Sequence, residues 1–373
     1  MECKVKNKIK LGFIGTGDMA VTHTHDLMQF AEDCEIAAIA DISHERMDAY
    51  SRQFRLSAQK HTDYNELLSN KDIDAVIICS PNFIHTEHAC AAFSAGKHVL
   101  LQKPMALTLG ECDEIIEASE KAGKVLQVGL VYRYSALFRT MAAIIKSGRI
   151  GEPLMAWCHE FRVPFPIGRK REWRYNQELS GGSLVEKDCH HFDLFQWMLG
   201  ALPVAVHAFG GQIIVNEQGP VKPGVPGEPY EFEKDNINNI IDHAWVNIEF
   251  EKSKTANLGL CLFAANRELP LGVIGEKGWI EANVHQNKLR IFDGRMGHVE
   301  EVQPQKLSHE LAGGVRDLGH SGGALEVFEF ISCVRENRQA FCDGKIGKES
   351  LYAALAAEIS IKKKRVVKIN ELR

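Results

Sequence analysis

From residue 9 to about 128, short apolar runs bounded by turn residues alternate with amphipathic stretches. The runs at 9–14, 35–40, 75–79, 97–101 and 125–128 are apolar on both faces, as strands buried in a parallel sheet are. Between them, 18–30, 43–55, 63–69, 84–95 and 109–122 carry helical spacing. Such alternation predicts a doubly wound parallel sheet. Beyond residue 130 the pattern changes. Helical spacing remains at 136–148 and 183–199, and then 240–250, 255–263, 272–274, 279–283 and 288–292 read as successive strands with no helix between them. That order predicts an α+β domain with a large, mostly antiparallel open sheet and helices on one face. Residues 216–235, with Pro220, Pro223, Pro226 and Pro229 among glycines and charges, read as a surface loop, and the last helices as 322–336 and 347–363. The expected division is therefore 1–130 and 131–373.

Composition narrows the function. The 373 residues are 45% hydrophobic and 25% charged, the balance of an ordinary folded protein, with a formal net charge of −5 and no basic block. Nucleic acid and anionic membrane are poor partners for such a surface. The ten cysteines include no C-x-x-C pair, which suits a reducing compartment. The polar start, Met-Glu-Cys-Lys-Val-Lys-Asn-Lys, lacks the apolar core of a secretory leader, and no segment reaches the roughly 18 apolar residues of a membrane span. A cytoplasmic location is expected.

The first strand runs into Gly15-Thr16-Gly17-Asp18-Met19-Ala20, a G-x-G-x-x-G/A turn opening a helix. Gly15 permits the turn, Gly17 lets the backbone approach a pyrophosphate, and Ala20 is small enough for helix–strand packing. The helix N-terminus offers free N–H donors to phosphate. Asp41 stands at the end of the second strand, 24 residues past Gly17, placed to accept hydrogen bonds from a ribose diol and to repel a 2′-phosphate. NAD is thus expected over NADP, with Arg46 nearby softening the preference. Ligands of open α/β sheets sit beyond the carboxyl ends of the strands, so Ser80, Pro81 and Asn82 should edge the same crevice. His85 either faces it or packs on the next helix.

Two further groups carry possible chemistry. Lys103 leaves the fifth strand in Gln102-Lys103-Pro104, a place where an ammonium can move a proton or steady an alkoxide; the plainer alternative is a surface lysine. Downstream, Gly181-Gly182-Ser183-Leu184-Val185-Glu186-Lys187-Asp188-Cys189-His190-His191-Phe192-Asp193 puts Glu186, His190 and Asp193 at i, i+4 and i+7, one face of a continuous helix. A carboxylate one turn before an imidazole can orient it and raise its basicity. His191 lies about 100° further round, toward substrate. Glu186 and His190 also have a spacing open to metal ligation, but no third ligand is evident and no metal is expected. A purely structural helix is the remaining alternative.

These motifs resemble the Gfo/Idh/MocA family, named for glucose–fructose oxidoreductase, inositol dehydrogenase and rhizopine catabolism. The resemblance extends over Gly15-Thr16-Gly17, Ser80-Pro81-Asn82, Gln102-Lys103-Pro104, Val128-Gly129 with Arg133-Tyr134, and Trp173-Arg174. It continues from Gly181-Gly182 through Asp193, in Gly275-Glu276-Lys277-Gly278, and in Ala356-Ala357-Glu358-Ile359-Ser360. It implies an N-terminal Rossmann domain and a C-terminal open sheet that commonly forms oligomer interfaces, so a homodimer or homotetramer. It also implies hydride transfer between NAD(H) and a hydroxyl carbon of a sugar, inositol or related small polyhydroxylated substrate. On this resemblance Lys103 and His190 are the acid–base pair, Glu186 replaces the family's aspartate, Gln102 its glutamate, and Asp188 a common glycine. Gln102 joins the cofactor residues, and Arg162, Trp173, Arg174 and His191 are candidates for the substrate wall. Two rival outcomes remain: a redox-neutral cycle in which transient oxidation drives elimination or hydrolysis, and a dinucleotide-bound sensor without chemistry.

Overall fold

The computed structural model describes residues 8–163, 169–214, 237–293, 298–304 and 322–372. The loop expected at 216–235 lies outside them. The chain forms two compact units, and neither is a single run of sequence. The first takes residues up to 134 together with 322–348; the second takes the described residues from 135 to 304 and from 349 onward. A single cut near residue 130 therefore misses a return of the chain.

In the first unit, β1 (Ile9–Ile14), β2 (Cys34–Ala40), β3 (Gln59–His61), β4 (Ala75–Ile78), β5 (His98–Leu101) and β6 (Leu126–Val128) form an all-parallel sheet in the order 3-2-1-4-5-6. That is the Rossmann order. The helices α1 (Asp18–Leu27), α2 (His44–Phe54), α3 (Tyr64–Ser69), α4 (His85–Ser94) and α5 (Leu109–Ala122) make the crossovers. Strands β4 and β5 are buried at every residue, which explains why they read as unbroken apolar runs. Strand ends are aligned: Ile14 pairs Ile78, and Ile78 pairs Leu101. Gly15, Ser80 and Lys103 therefore leave the sheet along one edge. α5 is closed at its start by a Thr108–Glu111 capping box and at its end by Gly123 at φ +61°.

In the second unit, α6 (Ala136–Lys146), β7 (Pro153–Phe161), α7 (Gln177–Ser180), α8 (Ser183–Glu186), α9 (Cys189–Leu199), β8 (Pro203–Gly211), β9 (His243–Phe250) and β10 (Thr255–Cys261) come first. They are followed by β11 (Pro270–Gly275), β12 (Trp279–Asn283), β13 (Lys288–Phe292) and β14 (Glu300–Val302). Helix α10 (Gly323–Glu336) then rejoins the first unit. There it crosses α1 so closely that a side chain at Gly323 would run into the Asp26 carboxylate. α11 (Gly344–Glu349), α12 (Tyr352–Lys363) and β15 (Val367–Lys368) complete the chain.

The nine-stranded sheet runs 14-13-12-11-7-10-9-8-15, antiparallel except where β10 meets β7. β9 shows why one face is core: Ala244, Val246, Ile248 and Phe250 are buried while Trp245, Asn247 and Glu249 are exposed. β7 and β8 carry no strand reading in the sequence. Leu154, Met155 and Trp157 interrupt the alternation because the outer face of this sheet is itself apolar and aromatic. β3, β14 and β15 were missed as well, each only two or three residues long. Among the described residues no helix is long and apolar enough to cross a membrane.

Candidate functional site

The glycine turn has the shape its sequence requires. Gly15 sits at φ +91°, and a side chain there would lie 2.9 Å from the Cys79 carbonyl carbon and oxygen. Only glycine lets β1 and β4 close together at this edge. At Gly17 the opposite holds: an added Cβ meets nothing within 4 Å, so the backbone at the start of α1 is open to an approaching diphosphate. Asp41 binds the turn itself. The Thr16 amide and hydroxyl both donate to Asp41 Oδ2 at 2.9 Å, the Ser43 amide donates to Oδ1 at 3.0 Å, and Arg46 Nη1 lies 3.7 Å from Oδ1. A carboxylate has about four acceptor positions, so capacity remains for a ribose hydroxyl. Thr16, Asp18, Met19, Asp41 and Arg46 thus stand around one turn. The donor set, the open Gly17 and the carboxylate fit a dinucleotide such as NAD.

His85 is a brace. It is fully buried, with Nδ1 2.8 Å from the Pro104 carbonyl and Nε2 3.0 Å from the Ser80 carbonyl. Burial lowers its pKa to about 4. A neutral ring carries one N–H and donates to one of these carbonyls at a time. It ties the Ser80-Pro81-Asn82 turn to the loop holding Lys103. His88 Nδ1 contacts Ser80 Oγ at 3.0 Å. Gln102 donates to His23 Nε2 on α1, a buried ring whose pKa burial lowers to about 4, so a neutral amide meets a neutral imidazole one residue before the lysine. His23 and His88 carried no sequence signal; the partner of His23 lies 79 residues away.

In the second unit the helix expected over 183–199 is broken. α8 ends at Glu186, Lys187 and Asp188 form the joint, and α9 starts at Cys189. Glu186, His190 and Asp193 therefore do not share the face of one helix; only His190 and Asp193 remain on α9. Glu186 Oε1 lies 3.4 Å from Arg174 Nε, and the Arg174 guanidinium sits 5.6 Å from the ring centre of Trp173, so three expected site residues do meet.

The joint is held by charges that the sequence did not announce. Glu160, pointing inward from β7, lies 3.5 Å from Lys187 Nζ, 3.5 Å from Arg162 Nη1 and 3.4 Å from His191 Nε2. His191 Nδ1 lies 2.8 Å from Asp188 Oδ1. His191 is fully buried between these two carboxylates, where it serves the joint. Burial pushes Glu160 up, but Lys187, His191 and Arg162 outweigh it and hold the carboxyl below its usual range; burial raises Asp188. The signal available in the sequence was a carboxylate at an inward position between Cys158 and the strand end, legible only once 153–161 is known to be a strand.

The first unit carries an open glycine turn at a helix start, and the second an imidazole and a carboxylate on either side of a helix break. Comparisons with known proteins give the lineage. Residues 9–130 match the model of an oxidoreductase family with an NAD-binding Rossmann fold, and 138–281 match the C-terminal domain of the same family. The chain belongs to the Gfo/Idh/MocA family, and its cofactor is NAD. It is 31% identical over 192 residues to inositol 2-dehydrogenase of Salmonella paratyphi B, a stretch spanning 51% of this chain and 54% of that protein. It is 26% identical over 375 residues to myo-inositol 2-dehydrogenase of Thermotoga maritima, covering 98% and 99% of the two chains. The oxidoreductase domain protein from Kribbella flavida superposes with a TM-score of 0.84 at 20% identity, covering 97% and 99%, a likeness of fold.

Proposed function

We propose that the chain is an NAD-dependent dehydrogenase acting on a hydroxyl carbon of a small polyol, with an inositol or a related cyclic sugar as the substrate class. The observation that carries this reading is Lys103 leaving the sheet along the edge that bears the cofactor turn, in a chain that also retains His190. A sensor needs neither group. In this reading His190 takes the hydroxyl proton, Glu186 orients the imidazole, and Lys103 stabilises the alkoxide as charge develops on oxygen. NAD, when bound, supplies the hydride acceptor. Arg162, Trp173 and Arg174 belong to the substrate wall. The relatives named inositol 2-dehydrogenase support the substrate class.

The outer face of the large sheet supports self-association through that face. Trp245 lies across Gly259 and Trp157 across Gly272, each over its directly opposite partner, and Phe209 is exposed alongside. A contiguous aromatic face of this kind is costly to leave in water. The nine cysteines among the described residues are free thiols, which suits the cytoplasm.

The test is NADH absorbance with NAD and a panel of inositols, sugars, sugar acids and anhydrosugars. The expected outcome is a rise with one class that His190→Ala and Lys103→Ala abolish, with NADH affinity nearly unchanged. Affinity lost in parallel with turnover overturns the assigned roles. Substrate consumption that requires NAD but leaves no NADH makes the cycle redox-neutral.

A further inference from the structure

The C-terminal segment Ala356-Ala357-Glu358-Ile359-Ser360 has no part in the chemistry above, yet one of its side chains reaches the turn from which that chemistry is launched. α12 is tied to the sheet: the Ala208 amide donates to Ser360 Oγ at 2.9 Å, and Ser360 Oγ donates to the Arg365 carbonyl at 2.6 Å. Two residues before Ser360, Glu358 sends its carboxylate across the Gly181–Gly182 turn. Leu184 N–H donates to Oε1 and Gln177 Nε2 donates to Oε2, each at 3.2 Å. One oxygen thus holds α8 and the other holds α7. Both glycines lie in the left-handed region, Gly181 at φ +88° and Gly182 at φ +89°. A Cβ on Gly182 would come within 2.5 Å of Glu358 Oε1, so the turn and the carboxylate are fitted to each other.

We infer that Glu358 is a positioning residue: its carboxylate clamps α7 to α8 across the double-glycine turn and so sets where Glu186 stands. The route is short. The Glu186 amide donates to the Gly182 carbonyl at 2.9 Å in the same turn whose Leu184 amide Glu358 holds. Burial pushes the Glu358 carboxyl up to about 7, the Leu184 hydrogen bond opposes the rise, and Asp188 at the joint adds to it. This inference rests on the proposed dehydrogenase reading.

The test compares wild type, Glu358→Ala and Glu358→Gln as full chains. NAD and the polyol active in the absorbance screen are the reactants, and amide hydrogen exchange is followed over 182–188. Alanine removes both acceptors; glutamine keeps one oxygen for Leu184 N–H. Small displacements of a positioned group cost up to about a hundredfold in rate, so Glu358→Ala is expected to lose about ten- to a hundredfold in kcat with KM and NADH affinity within about twofold. Glu358→Gln should recover most of that loss, and exchange over 182–188 should quicken in the alanine variant and much less in the glutamine one. Unchanged kcat in Glu358→Ala overturns the inference. So does a parallel loss of kcat, NADH affinity and melting temperature, which marks a merely structural role. If wild type oxidises nothing in the screen, the functional reading fails by itself and exchange still decides: unaltered exchange over 182–188 in Glu358→Ala overturns the clamp.

Discussion

The two units hold their functional groups by different means. In the first, recognition is built from backbone: two glycines, a helix start and a carboxylate hydrogen-bonded to the turn it follows, all within residues 15–41. In the second, the joint beside His190 is held by buried side-chain charges from β7 and the α8–α9 junction, with Glu358 reaching the α7–α8 turn just before it from α12. Backbone recognition leaves spacing in the sequence, because glycine is required at set positions. Charge clusters leave little, because their members are joined in space alone.

The sharpest way to break that contrast is Glu160→Ala. Removing one member of a buried ion network strands its partners at about 3–5 kcal/mol, so the second unit should lose stability on that scale. All five tryptophans, 157, 173, 197, 245 and 279, belong to the second unit. Denaturant titration followed by tryptophan fluorescence therefore reads that unit alone, and an unshifted midpoint would make the cluster ornamental.

Gly15→Ala is the counterpart in the first unit. The positive φ and the contact at 2.9 Å with Cys79 together should cost about 2–3 kcal/mol. Isothermal titration should show this as NADH binding weakened by up to roughly a hundredfold, with the tryptophan midpoint moved little.

The smallest effect is a matter of sign. Glu358, raised to about 7 from 4.5, contributes stability that is complete below pH 4.5 and lost as pH rises through 7. Glu160, held below 4.5, contributes stability present above that pH and lost as the medium becomes more acidic. Glu358→Gln should flatten the decline of the tryptophan-detected midpoint between pH 4.5 and 7, an effect on the order of 1–2 kcal/mol after solvent screening of a half-buried group. A slope identical to wild type would assign the titration elsewhere.

These contrasts also explain what was legible. The parallel sheet could be read because its strands are buried on both faces, and the cofactor turn because Gly15, Gly17 and Asp41 stand at fixed offsets. The break at Lys187–Asp188 could not: residues 183–199 have sound helical periodicity, and the ion pairs of Lys187 and His191 at the break go to Glu160, on a strand whose own pattern was masked by aromatics. The two carboxylate partners of His191 were hidden for the same reason, since Glu160 lies on that strand. Glu358 was visible as part of a family motif, but not its job, since its partner amide lies 174 residues earlier.

The return of α10 to the first unit bears on how the chain is made. Gln127 Nε2 donates to the Glu326 carbonyl across 199 residues, and α10 covers α1. At roughly 5–20 residues per second on the ribosome, the strands of the first sheet would wait on the order of 10–40 s for that cover. During the wait β7 to β14 of the second sheet are synthesised. The half that is begun first is thus finished only after most of the other has emerged, and a nascent chain halted before residue 322 would carry a nucleotide fold with one flank still bare.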